Sequence, residues 1–146
     1  MTQPNIPPKP NAGNPFDDMP VIFSYARKQA IEDGVLVDLS QWAKETGFSV
    51  PVACTAAVWH DFVVPPEAMK QWGQSERGRA HDILWLLFVA IRSRKAKAPA
   101  EGEDLLFYDV LFQQEPGKTI KVRLKAICGP GDDGEPVLTI LRPEED

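Results

Sequence analysis

Residues Ile83–Ile91 read ILWLLFVAI, and a helical pattern runs around them from about Ser75 to Lys97. Ala80, Ile83, Leu84, Leu87, Phe88 and Ile91 recur at intervals of three and four, which places them on one face of a helix. Trp85, Leu86 and Val89 lie off that face and are also apolar, so the pattern predicts a helix buried on several sides. A membrane span needs about 20 apolar residues, and this run is closed by Asp82 and Arg92. Ser75 is the expected N-cap, with Glu76 in the first turn. Arg92, Arg94, Lys95 and Lys97 suit the negative end of the helix dipole, and Pro99 and Gly102 end the pattern.

Beyond this helix the period changes. Leu106, Tyr108, Val110 and Phe112 alternate with Phe107, Asp109 and Leu111, and Pro116-Gly117 makes a turn. Ile120, Val122, Leu124 and Ala126 then alternate with Thr119, Lys121, Arg123 and Lys125, which is strand periodicity. Gly129–Glu135 (GPGDDGE) reads as a loop, and Val137–Leu141 as the last strand. The expected fold is α+β. A central buried helix packs on a C-terminal three-stranded antiparallel meander, with short helices and strands on its N-terminal side.

On that side, Val21-Ile22-Phe23 reads as a short strand. Ser24 is placed to cap a helix over Tyr25–Asp33, which Gly34 ends. Val35–Val37 is extended, and Asp38 or Ser40 caps a short helix, Gln41–Thr46, ended by Gly47. Val50, Val52 and Cys54 alternate, but Pro51 demotes this strand to an edge or irregular one. Thr55 caps a helix from Ala56 to about Phe62, and Pro66 starts another, Glu67–Trp72. Residues 1–20 carry prolines at 4, 7, 8, 10, 15 and 20 and few apolar groups, so a disordered tail is expected before one domain over 21–146.

The chain has 146 residues, 43% hydrophobic and 25% charged, which suits one globular domain with its own core. A net charge of −5 argues against general binding to nucleic acid or anionic membranes, while leaving room for a local basic patch. Two distant cysteines, Cys54 and Cys128, fit reduced, buried and inert thiols. With no apolar leader at the N-terminus, a cytoplasmic location is expected.

Three stretches, VIFSYARKQAIEDGVLVD (21–38), PVACTAAVW (51–59) and CGPGDDGEPVLTILRPE (128–144), together resemble a family of small uncharacterised proteins encoded on bacterial plasmids and integrative elements. That resemblance implies a mobile-element setting, with interference in host defence or regulation of transfer as roles, and brings no catalytic residues. Phe23-Ser24-Tyr25, a helix and Gly34-Val35-Leu36 also resemble the opening of ADP-ribosyltransferase-type domains. Ser24 stands where those domains carry His or Arg.

His60-Asp61 and His81-Asp82 lack zinc-motif spacing and fit helix surfaces or caps. Asp132, Asp133 and Glu135 suit either a divalent cation or a glycine-rich turn. No GxSxG or GxGxxG occurs, so no metal and no cofactor is expected. Lys121, Arg123 and Lys125 share one side of a strand about 6–7 Å apart, with Arg142 nearby in the pattern and Asp109 placed to offset one charge. These four cations are the candidate binding site. The expected function is a non-enzymatic accessory protein that binds a macromolecule, protein or nucleic acid, with no membrane role. The alternative is a small enzyme, ADP-ribosyltransferase-like or metal-dependent.

Overall fold

The computed structural model describes residues 26–95 and 105–145. The expected tail and the strand at Val21–Phe23 lie outside them. The chain forms α1 (Arg27–Glu32), β1 (Leu36–Asp38), α2 (Ser40–Thr46), β2 (Val52–Thr55) and α3 (Ala56–Val58). α3 runs on into a π-helical turn, Trp59–Val63. Then come α4 (Glu67–Lys70), α5 (Glu76–Lys95), β3 (Leu105–Glu115), β4 (Lys118–Pro130) and β5 (Pro136–Leu141). The class is α+β, as expected.

The sheet is larger than expected. Five strands lie in the order β1-β2-β5-β4-β3, so the sheet is mixed rather than a three-stranded unit. β3 with β4, and β4 with β5, pair antiparallel. β5 then accepts β2 on its other side in parallel, Val52 opposite Leu138 and Cys54 opposite Ile140. Pro51 does not confine β2 to an edge. The strand begins just after it, and its carbonyl accepts from the Leu138 amide at 2.9 Å, so the missing donor is never needed.

α5 supplies the inner layer. Ala80, Ile83, Leu84 and Leu87 are fully buried and meet Tyr108, Val110, Phe112, Leu124, Ala126 and Ile140 from the sheet. The expected N-cap is present: the Ser75 hydroxyl accepts from the Gly78 amide at 3.1 Å. The Tyr108 hydroxyl donates to the Ile83 carbonyl at 3.2 Å, tying helix to sheet. α5 is not buried all round, however. Trp85 is 47% and Val89 40% exposed, because among the described residues the sheet covers one side, α2 a flank, and no element covers the rest.

The opposite, outer face of the sheet is covered over half its width. Ala30, Ala53, Val137 and Leu141 are buried yet lie outside the main core cluster. Arg27 anchors α1, donating to Thr139 Oγ1 and to the Leu138 carbonyl, both at 2.8 Å. The cap of α1 comes from a distant loop: the Asp132 carboxylate accepts from the Arg27 amide at 2.7 Å and the Lys28 amide at 3.1 Å. The other half of this face, over β3 and β4, has no such cover among the described residues.

Candidate binding surface

β3 and β4 form a long ribbon whose alternation sends one set of side chains to the core and the other outward. Outward, Phe107 lies opposite Lys125, Asp109 opposite Arg123 and Leu111 opposite Lys121. Leu111 is 60% and Phe107 45% exposed, with Leu105 beside them. Arg123 Nε donates to Asp109 Oδ1 at 3.2 Å, the pairing the sequence predicted. Its guanidinium also lies 5.9 Å from the centre of the Phe107 ring. Lys121 is exposed and carries no ion pair among the described residues. The surface is thus apolar at its centre and basic along one side.

Two of the four predicted site residues leave this row. Lys125 is only 8% exposed, and its ammonium donates to the carbonyls of Pro143, at 3.3 Å, and Glu145. The C-terminal turn folds over β5 and takes up this charge. The Glu145 carboxylate fastens the turn, accepting from Thr55 Oγ1 and from the Arg142 amide, both at 2.8 Å. Arg142 follows the end of β5 and points to the π-helical turn. There it pairs with Asp61 and, at 2.8 Å, with Glu144, and lies 5.5 Å from the Phe62 ring centre. Lys121 and Arg123 remain at the surface. Phe107 and Leu111 were not among the expected contact residues, because the strand alternation points first to the core-facing Tyr108 and Phe112, and these two fall on the other parity.

The remaining candidates take structural roles. Asp132 caps α1, and Glu135 Oε1 accepts from the Asp133 amide at 3.0 Å. Among the described residues no group of three His, Cys, Asp or Glu side chains is arranged to hold a metal. His60 and His81 are exposed, as are Asp61 and Asp82. Cys54 is buried as expected, and burial foremost, then the Glu145 carboxylate, pushes its thiol up to about 12. Cys128 is exposed, against expectation, near the end of β4 where its side chain is left uncovered. Tyr108 also titrates above its ordinary value, by burial first and then the Cys54 thiolate. No described helix is long and apolar enough to cross a membrane.

A family model described as "Family of unknown function (DUF6573)" matches residues 12–146, and the chain belongs to that family. No curated protein and no solved structure matches the chain.

Proposed function

We propose that this member of a family without an assigned activity works by binding a macromolecule, and that the outer face of the β3–β4 ribbon is the contact surface. The observation that carries the reading is the exposure of Phe107 and Leu111, in the middle of a regular strand, beside Lys121 and Arg123. Monomeric surfaces rarely leave large apolar groups contiguous unless a partner covers them. A protein partner with apolar and acidic groups fits better than nucleic acid. Asp109 offsets Arg123, and Lys125 is withdrawn, so few cations are left to neutralise phosphates. In the mobile-element setting implied by the resemblance, such a contact would serve to block a host defence or to regulate transfer.

The test is affinity capture from a bacterial host with the wild-type chain and with Leu111→Asp and Lys121→Glu. A specific partner retained by wild type and lost by both variants, with capture weakened by salt, supports the reading. Equal capture by all three removes this face from consideration. A thermal-shift screen against NAD, nucleotides and divalent metals addresses the enzymatic alternative, since a ligand that prefers the folded state raises the melting temperature.

A further inference from the structure

The solvent face of α5 carries a regular stripe of exposed residues. Its exposed stripe runs Asp82, Trp85, Val89, Arg92, at intervals of three, four and three, the seam spacing of two packed helices. Trp85 and Val89 are its apolar centre. Trp85 stacks on Phe88 with centroids 5.8 Å apart, and the Arg92 guanidinium lies 5.4 Å from the centre of the same Phe88 ring. Asp82 and Arg92 are exposed and carry no ion pair among the described residues.

We propose that this face binds a second copy of the chain through an antiparallel α5–α5 contact. The charge arrangement selects that occupant. A two-fold axis at the level of Leu87 sets Trp85 against the partner's Val89. The same axis sets Asp82 against the partner's Arg92, at both ends at once. A parallel pairing would instead oppose acid to acid and base to base. The dyad is therefore satisfied by apolar matching and charge matching in the same register, as an isologous interface requires. The seam from Asp82 to Arg92 is about 15 Å long, so the contact belongs to the small, reversible class of interfaces. It lies on the opposite layer from the β3–β4 ribbon and stands independently of the function proposed there.

The experiment is sedimentation equilibrium of the full chain over a concentration series. Wild type is expected to be a reversible dimer. Asp82→Arg and Arg92→Asp, each alone, are expected to weaken self-association by roughly tenfold or more, because like charges then meet at both ends of the seam. An equimolar mixture of the two variants is expected to regain dimers, since each unlike pair restores opposite charges. The double variant Asp82→Arg/Arg92→Asp should likewise dimerise. A wild type that stays monomeric at every concentration overturns the proposal. A dimer indifferent to both reversals, or a variant mixture that remains monomeric, overturns it as well.

Discussion

The Lys125 ammonium is bonded to the main-chain carbonyl of Glu145, twenty residues further along the chain. The cation therefore closes the C-terminal turn over β5 instead of facing solvent beside Lys121 and Arg123. Replacing it with Met leaves two carbonyls without their donor. Lys125→Met should lower unfolding stability by about 1–3 kcal/mol, whereas Lys121→Gln should change it by no more than about 0.5 kcal/mol. Urea denaturation of the two variants measures the difference. Equal small effects would mean that the turn does not depend on this lysine.

Arg79 gathers more of the fold than any other polar side chain described. Its guanidinium donates to the Phe62 and Gln113 carbonyls and to the side chains of Gln74 and Gln114, at 2.5–3.1 Å. It also lies 4.7 Å from the Phe112 ring centre. Arg79→Ala would strand several acceptors and should cost on the order of 3 kcal/mol. Arg79→Lys should rescue little, because an ammonium cannot reproduce the planar fork. Thermal melts of both variants decide this, and full rescue by Lys would refute the geometric account.

Leu87 is fully buried between α5 and the sheet, so Leu87→Ala should cost on the order of 2–5 kcal/mol. Exposed Gln41 on α2 is the control, with an effect within about 0.5 kcal/mol. Gly47 is constrained in a different way. Its φ is +126°, and a Cβ there would sit 3.2 Å from the Phe88 ring. Gly47→Ala should therefore cost about 1–3 kcal/mol through backbone strain. Chemical denaturation of the three variants orders them.

The two thiols should separate cleanly. With a disulfide-forming reagent, Cys128 should react in the native protein and Cys54 only on unfolding. The pH dependence has a definite sign. The folded Cys54 pKa is raised from 9.0 to about 12, so the fold favours the neutral thiol. Below pH 9 both states keep the proton and the contribution is complete. As the pH rises towards 12, the unfolded chain loses a proton that the folded chain retains, so stability falls. Tyr108, raised in the same direction, adds to the fall. Urea midpoints measured on either side of pH 9 should drop with alkalinity, and less steeply in Cys54→Ala.

Much of this fold is legible in local pattern. The 3.6-residue period of Ala80, Ile83, Leu84 and Leu87 names the helix and its buried side. The alternation through Tyr108, Val110, Leu124 and Ala126 names two strands and their inner faces. Ser75, Gly34 and Gly47 mark helix ends for reasons of capping and φ that act within a turn. What pattern could not supply were relations across the chain. Nothing near Val52 signals that it lies beside Leu138, and nothing near Asp132 signals that it caps a helix 105 residues earlier. The candidate site was half legible for the same reason. Strand parity correctly put Lys121, Arg123 and Lys125 on one side. It cannot say which cation a later turn will cover, nor that no described element covers Trp85.

The parallel pairing of β2 with β5 has a consequence during synthesis. β5 is the last strand of the five in chain order, yet it alone joins β1 and β2 to the rest of the sheet. On the ribosome, the antiparallel β1–β2 pair, joined through α2, must wait with Val52, Ala53 and Cys54 unpaired on one side until Leu138, Thr139 and Ile140 emerge. Such delayed, distant pairing slows folding and exposes an apolar strand to stray partners. Nascent chains stalled before β5 should therefore be prone to protease digestion and chaperone capture in their N-terminal half, with protection arriving late and all at once.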